Sequence, residues 1–375
     1  MSASLSLSLL RSVLALRDLT DPSAGPHALQ LLVDDVLARL RAAWGCEVLV
    51  HRASPIVSIA DNYDRLHYPE GGAARDARYT RYVCDTALLR TQTSAMVPPL
   101  LRQIAASAPA DLLLACPGLV YRRDCIDRLH VGEPHQMDLW RVRRGAALGV
   151  DDLQQMIERV VHALLPGREL RTTPTLHPYT TCGLQIDVHE RGEWIEIGEC
   201  GLALPAILAE NGHDAAEVTG LAMGIGLDRV LMLRKGIDDI RLLRSQDARV
   251  AAQLLDLEPY RPVSAMPAVR RDLSLVLEGD ATPEDLGDAV RDALGARAEV
   301  VEAVEVLSET GHDALPPAAV VRLGIRPGQK NVLLRVVLRA LERTLTHEEC
   351  NHLRDEIYAA LHRGSAWQWA SAASR

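Results

Sequence analysis

Phenylalanine is missing altogether: none occurs in 375 residues, where ordinary usage would supply on the order of a dozen. High-GC codon bias is the plain candidate cause, because lysine is also rare, with only Lys235 and Lys330 among 41 basic residues. That cause is insufficient. The C-ending tyrosine codon carries as many A/T positions as the C-ending phenylalanine codon, yet there are 8 tyrosines, and isoleucine is present throughout. Two explanations stay open: the ring is excluded for packing reasons, or phenylalanine itself is tied to what the protein does. Other absences set bounds. No apolar run approaches the length of a membrane span, so no membrane partner is expected. The 7 cysteines (Cys46, Cys84, Cys116, Cys125, Cys182, Cys200 and Cys350) contain no CxxC pair, which disfavours a zinc ribbon or a disulfide framework and fits reduced thiols. A formal charge of -9 excludes a protein that coats nucleic acid through its global field and leaves room only for a local basic patch.

What is there describes a globular chain. Hydrophobic residues make up 48% and charged residues 24%, and the length suits two domains. Without phenylalanine the core must be filled by Leu, Val, Ile, Ala and Met. Residues 2–17 are rich in Ser and Leu, with Arg11 and Arg17 and no acid, which fits either a mitochondrial transit segment or a short segment packed on the domain. Pro26 opens a helix through residue 44, with apolar Leu29, Leu32, Val33, Val36, Leu37 and Leu40 at helical spacing. Residues 47–50 and 54–57 read as a strand interrupted at Pro55, and residues 61–80, polar and rich in Gly and Arg, read as a loop. Strands are expected over 111–115, 119–122 and 137–142, then a helix over 151–165 stopped by Pro166-Gly167. Arg191-Gly192 turns the run 184–189 into 194–197 as an antiparallel hairpin. A short helix over 205–210, a glycine-interrupted strand over 221–226 and a helix over 228–235 follow. Locally paired strands with helices between them favour an α+β antiparallel domain over a doubly wound one.

The pattern resets near residues 257–262. Beyond it the order is strand 273–277, helix 283–294, strands 300–307 and 320–323, strand 332–338 and helix 346–361, like a small split βαβ sandwich. The chain is therefore divided into an N-terminal extension (1–25), a first domain (26–256), a second domain (257–365) and a tail (366–375).

Three elements carry chemistry. Gly224-Ile225-Gly226-Leu227-Asp228-Arg229 sets a glycine-rich strand end before an arginine in a first helical turn, suited to a flat or phosphorylated ligand. The spacing lacks the third glycine and the parallel context of a dinucleotide loop. Val120-Tyr121-Arg122-Arg123-Asp124, with Asp127, His130 and a return strand from His135-Gln136-Met137-Asp138, offers arginine to a triphosphate beside a second substrate. Leu89-Arg90-Thr91-Gln92-Thr93-Ser94 offers hydroxyls and an amide to an amino acid's polar end, although such a run is also a common helix cap.

Taken in this order, and joined by Glu193-Trp194-Ile195-Glu196, Cys200-Gly201 and Ile237-Asp238-Asp239-Ile240-Arg241, these elements resemble phenylalanyl-tRNA synthetase. The resemblance covers nearly the whole chain from Pro26. It implies a class II aminoacyl-tRNA synthetase antiparallel-sheet core followed by a ferredoxin-like anticodon-binding domain, which residues 260–272 open and Leu341 to Thr346 help close. Both domains on one chain resembles the single-chain, mitochondrial-type form and implies a monomer rather than a dimer. The implied reaction is ATP-dependent activation of phenylalanine and transfer to tRNA, with ATP and Mg²⁺ required. The location implied is cytoplasmic, or alternatively the mitochondrial matrix.

The resemblance also implies roles. Arg122, Glu196 and Arg229 would be catalytic, and Asp124 and His130 would join them around ATP, with Glu196 holding Mg²⁺. Gln92, Thr93, Ser94, His135, Gln136, Asp138, His177, Tyr179, Glu199, Ala222 and Met223 would bind the amino acid. Arg270, Arg271 and Arg343 would contact tRNA. Several positions depart from the family. Asp138 stands where glutamate is usual, one methylene shorter. His177-Pro178-Tyr179-Thr180 replaces Phe-Pro-Phe-Thr, Leu221-Ala222-Met223-Gly224 replaces Phe-Ala-Phe-Gly, and Pro134 replaces the phenylalanine before His-Gln. Tyr179 and Met223 remain able to hold a ring. Glu199 replaces a glycine and Thr181-Cys182 replaces Glu-Pro, changes that avoidance of phenylalanine does not explain. Two other readings follow from these departures: a paralogue activating a different amino acid for tRNA or a biosynthetic acceptor, and a non-catalytic tRNA- or amino-acid-binding regulator.

Overall fold

The computed structural model describes residues 5–77, 79–123, 125–263 and 266–367. These fall into two units that do not follow the linear order of the chain. The first holds the described residues up to Arg122 with 133–237 and 252–260; the second holds 123–132, 238–251 and the chain from Arg261 onward.

In the first unit, α1 (Leu7–Leu14) sets Val13, Leu9 and Leu10 against Leu89, Leu119 and Tyr121. Residues 7–14 are thus packed on the domain. The periodic stripe forms α2 (Ala28–Trp44), with Leu29, Leu32, Val33, Val36, Leu37 and Leu40 all buried. Its start is capped by His27, which accepts the Leu29 N–H, and its end by Gly45 in the left-handed region at φ 63. The segment read as one interrupted strand is two strands in two sheets: β1 (Glu47–Val50) joins the large sheet, and β2 (Ile56–Ser58) a small one. Proline cannot donate to a ladder, so the break at Pro55 becomes a change of sheet. The stretch expected as a plain loop contains α3 (Ile59–Asn62) and buries Asn62, Tyr63 and Leu66. The small sheet is completed by β3 (Tyr82–Cys84) and β4 (Ala87–Leu89).

After α4 (Val97–Ile104) come β5 (Asp111–Leu119), β6 (His135–Arg144), α5 (Val150–Leu164), β7 (Leu170–Pro174), β8 (Thr180–Glu190), β9 (Glu193–Ala203), α6 (Pro205–Glu210), β10 (Val218–Gly226) and α7 (Leu227–Lys235). The seven-stranded sheet runs β1-β5-β6-β10-β9-β8-β7, antiparallel apart from β1 beside β5. The expected turn between β8 and β9 forms at Arg191 and Gly192, with φ 49 and 90, the two positive values that a tight hairpin requires.

Successive strand residues face opposite sides of a sheet, and this alternation positions the site. Leu112, Leu114, Cys116, Trp140, Val142, Val218 and Ala222 pack with α4 and α6 through Leu100, Leu101, Ile207 and Leu208. The intervening residues face the other side, where α2, α5 and α7 lie. Lys235 is buried at the end of α7, and its ammonium donates to Asp256 Oδ1 at 2.8 Å and to the Asp256 carbonyl at 2.9 Å. This contact holds residues 252–260 in the first unit, slightly past the boundary read from sequence.

The second unit contains α8 (Ala248–Ala251), β11 (Val269–Glu278), α9 (Pro283–Leu294), β12 (Val301–Gly311), α10 (Pro317–Leu323), β13 (Gln329–Leu338) and α11 (His347–Leu361). Its three strands are antiparallel in the order β11-β13-β12. Leu273, Leu275, Leu334 and Val336 from the sheet pack with Val290 of α9 and Ile357 of α11. Capping boxes at Thr282 with Asp285 and at Thr346 with Glu349 start those helices. The strand expected over 320–323 is instead α10: Pro317 at its start and Gly324 at φ 61 after its end bracket a helix. A short apolar run does not by itself distinguish the two.

Residues 123–132, assigned by sequence to the first domain, belong to this unit. Ile126 is buried in its core, its carbonyl accepts the Val304 N–H at 2.9 Å, and Arg291 donates to the Cys125 carbonyl at 2.9 Å.

Candidate active site

The site is built on one face of the seven-stranded sheet in the first unit. On β6 the residues Gln136, Asp138 and Trp140 share that face by strand alternation. Their partners on β10 are Gly226, Gly224 and Ala222, and β9 brings Glu199 opposite Gly224 and Gly201 opposite Ala222. A Cβ built on Gly224 would lie 3.8 Å from Asp138 Oδ2 and one on Gly226 3.8 Å from the Ile197 carbonyl. Neither touches protein closely, so the two glycines leave room for a ligand above β10.

Asp138 is the polar centre. Thr93 donates to its Oδ2 at 2.7 Å and Ser94 to its Oδ1 at 2.8 Å, while the Trp140 indole N–H lies at 3.4 Å. Thr93 and Ser94 reach it from the short 3-10 turn Thr93–Met96 that precedes α4. Asp138 is 2% exposed, and burial pushes its carboxyl pKa up although the Thr93 and Ser94 hydroxyls oppose the shift. Three residues expected at the amino acid's polar end are therefore brought into one network. Gln92 is held nearby: it accepts from the Tyr68 hydroxyl at 2.8 Å and donates to the Asn62 carbonyl at 3.1 Å. Arg122 is tied to the same loop, its Nε donating to the Thr91 carbonyl at 2.8 Å.

A ring-lined wall adjoins this network. Tyr179 stacks on Trp140 with ring centroids 6.1 Å apart and an interplanar angle of 23°, and Tyr68 lies 6.2 Å from Tyr179 on its other contact. Burial drives the Tyr68 hydroxyl pKa up to about 12 and raises that of Tyr179 well above the ordinary value. Both rings stay neutral near pH 7. His177 is 5.8 Å from Tyr179 by ring centroid, and its Nε2 lies 2.7 Å from Glu199 Oε2. Thr180 and Gly201 meet so closely that a Cβ at Gly201 would lie 2.7 Å from the Thr180 Cβ, which closes this side of the wall.

The charged groups lie toward one edge of the sheet. Arg122 follows the end of β5, Arg229 stands in the first turn of α7 beyond the end of β10, and its Nη1 donates to the Glu196 carbonyl of β9 at 2.9 Å. Burial raises the Glu196 carboxyl pKa, the negative charges of Glu199 and Asp187 add to the shift, and Arg229 and Arg122 offset it. Glu196 and Glu199 each offer carboxylate oxygens, the donor type that a hard divalent cation takes.

Two expected ligand residues are elsewhere. His135 is fully buried on the opposite face: its Nε2 accepts the Leu19 N–H at 3.0 Å, so Nδ1 carries the proton and meets Asp228 Oδ1 at 2.9 Å. It clamps β6 to α7 and does not line the pocket. Met223, paired with Leu139 and Cys200, faces the α2, α5 and α7 side of the sheet, away from Asp138. Asp124 lies outside the described residues. His130 belongs to the second unit, where its Nδ1 lies 2.8 Å from Asp127. Burial works against ionisation of Asp127, yet the His130 and Leu129 hydrogen bonds hold its pKa down to about 2. With Cys125 these two place three donor atoms within 4.8 Å of one another. Of the arginines expected to contact tRNA, Arg271 donates to Asn351 at 3.1 Å and meets His347, Arg343 pairs with Glu349 at 2.8 Å, and Arg270 is exposed.

The sequence reading missed Tyr68 and Trp140. Trp140 carried a usable signal, since it stands two and four residues beyond Asp138 and Gln136 and so shares their face. Tyr68 carried none, because an irregular segment has no period.

A model of the family described as tRNA synthetases class II core domain (F) matches residues 23–254, and one described as ferredoxin-fold anticodon binding domain matches residues 264–367. Fold and site thus define a class II synthetase catalytic sheet followed by an anticodon-binding fold. The chain belongs to the class II tRNA synthetase core domain (F) family. Among curated relatives, the chain is 28% identical over 317 residues to the chloroplastic/mitochondrial phenylalanine--tRNA ligase of Arabidopsis thaliana, covering 81% of this chain and 68% of that one. It is 25% identical over 435 residues to the mitochondrial enzyme of Saccharomyces cerevisiae, covering 93% and 89%. It is 35% identical over 192 residues to the phenylalanine--tRNA ligase alpha subunit of Prochlorococcus marinus (strain MIT 9313), covering 51% of this chain and spanning only 56% of that subunit.

Proposed function

We propose that this chain activates phenylalanine with ATP to the aminoacyl-adenylate and transfers it to tRNA(Phe). The observation that carries the reading is the juxtaposition on one sheet face of a buried carboxylate, Asp138, with a wall of rings, Tyr68, Tyr179 and Trp140. A carboxylate with ordered hydroxyls suits the ammonium of an amino acid, and offset rings suit an aromatic side chain at about 0.5–1.5 kcal/mol beyond the area buried. The relatives above carry the same activity in their names.

The substrate carboxylate attacks the α-phosphate of ATP, so two anions must be held together while charge builds on the phosphate. Arg122, pinned to the Thr91 carbonyl, would bridge them, and Arg229, in the first turn of α7, would meet the remaining phosphates. Glu196, with Glu199 beside it, would hold magnesium, which when bound neutralises phosphate charge. Gln136 shares the sheet face of Asp138, opposite Gly226 on β10, and offers its amide to the amino acid. The tRNA acceptor is read from the second unit's anticodon-binding fold. We place the enzyme as a monomer, with the cytoplasm or an organellar matrix as its compartment.

ATP–pyrophosphate exchange measured with each amino acid tests the reading. Exchange driven by phenylalanine alone supports it. Exchange driven by another amino acid establishes the paralogue instead, and none at all a non-catalytic binder.

A further inference from the structure

The missing phenylalanine is absorbed neither by the fold nor by the reaction, and the structure decides between the two explanations it leaves open. Packing does not exclude rings. Trp140, Tyr63, Tyr358 and Tyr121 are at most 2% exposed. Tyr121 lies among Val13, Leu89 and Leu119, and Tyr358 among the aliphatic side chains of the second unit's core. A site that accepts a tyrosine ring has the volume for phenylalanine, which differs from it by one hydroxyl. Exposed positions are equally devoid of it, although they hold large apolar residues such as Leu7, Leu255, Leu307, Val321 and Trp367. The exclusion therefore spans both units, core and surface, and falls on one amino acid while sparing its nearest analogue. The property common to all these positions is how they are translated.

We infer that this chain is one whose synthesis is independent of phenylalanyl-tRNA, and that its role is to restore the phenylalanyl-tRNA pool after the resident charging activity has failed. The inference rests on the phenylalanine-charging reading above. A charging enzyme that contained phenylalanine would need its own product, phenylalanyl-tRNA, for its own translation at the moment of need. One without it is translated with no codon that calls for phenylalanyl-tRNA, and each molecule then regenerates the missing substrate of translation.

The order of induction tests this. In a host whose resident phenylalanine-charging enzyme can be shut off, the gene is induced either before or after shut-off. Three versions are compared: the wild type; a variant carrying Leu7→Phe, Leu255→Phe, Leu307→Phe and Val321→Phe; and a control with tryptophan at the same four exposed positions. Purified variants are first matched for pyrophosphate exchange, and the tryptophan control reports any effect of ring bulk alone. The wild type and the tryptophan control are expected to rescue growth in both orders, and the phenylalanine variant only when induced first, with at least a tenfold loss of survivors when induced late. Equal late rescue by the phenylalanine variant overturns the inference, as does a wild type that rescues early but not late. A wild type that rescues in neither order also overturns it, and the exchange assay then shows whether phenylalanine activation has failed as well.

Discussion

Asp138 and Glu199 are the residues whose environments make the sharpest statements. Burial raises the Asp138 carboxyl pKa, so the folded protein holds a proton there at pH values where the unfolded chain, at about 3.9, has released it. Such a group contributes stability that is fully present below the unfolded pKa and is lost as pH rises through the folded one. Asp138→Asn does not titrate. The melting temperature of the wild type relative to Asp138→Asn should therefore rise as pH is lowered from neutrality toward 4, as scanning calorimetry at several pH values will show. The same substitution removes a charge-assisted bond to an ammonium, and the KM for the amino acid should rise about ten- to a hundredfold. Glu199 acts at one remove. The Glu196 carboxyl is raised first by burial and then by the charge of Glu199, so Glu199→Gln lowers the Glu196 pKa. If ionised Glu196 is required, the acid limb of the pH profile for exchange moves to lower pH; a limb that stays put or moves upward assigns the ionisation elsewhere.

At the scale of the element, β10 separates what the protein requires from what the ligand requires. A Cβ at Gly198, on the neighbouring β9, would lie 2.3 Å from the Gly224 carbonyl and 2.9 Å from Ile225 Cδ1. Gly198→Ala must push the two strands apart and should cost about 1–3 kcal/mol of stability. Gly224→Ala meets no such contact, and an alanine in a strand regains about 0.5–1 kcal/mol of backbone entropy. Its chemical-denaturation midpoint should therefore equal or exceed the wild type's, while the KM for the amino acid rises at least tenfold because the methyl group occupies ligand space. This contrast also marks how far the sequence was legible. Periodicity located α2, α5 and the β8–β9 hairpin, because their apolar spacing is long and their turn residues specific. The motif order names Thr93, Ser94 and Asp138, and the fold joins them in one hydrogen-bond network. Met223 was misplaced because the family pattern gives an address in the chain, whereas one step along a strand changes the face of the sheet. His135 has the donor chemistry of a ligand, and only the partners Leu19 and Asp228, distant in sequence, reveal it as a clamp. The loop 123–132 sits inside the first domain in sequence, and its membership of the second unit depends on Val304 and Arg291, which no local pattern announces.

At the scale of the whole molecule, charge decides how tRNA can be held. Residues 123–132, 238–251 and 261–375 together hold 19 Arg and Lys against 22 Asp and Glu, so the second unit cannot attract a polyanion by its net field. Contact must come from individual side chains, and those already engaged within the unit are poorly placed to supply it. Arg343 is paired with Glu349 and Arg271 with Asn351, so recruiting either one breaks an existing contact. Arg270 is exposed on β11 and donates to no partner among the described residues, which makes it the strongest candidate of the three. Arg270→Ala should raise the KM for tRNA severalfold with pyrophosphate exchange unchanged, and should reduce the slope of log affinity against log salt by about one phosphate contact. Arg343→Ala should change both less, since an exposed ion pair contributes little to stability and its arginine is already committed. Filter binding across a salt series distinguishes the two, and a larger loss of slope for Arg343→Ala than for Arg270→Ala would assign the phosphate contact to the capped end of α11 and not to β11.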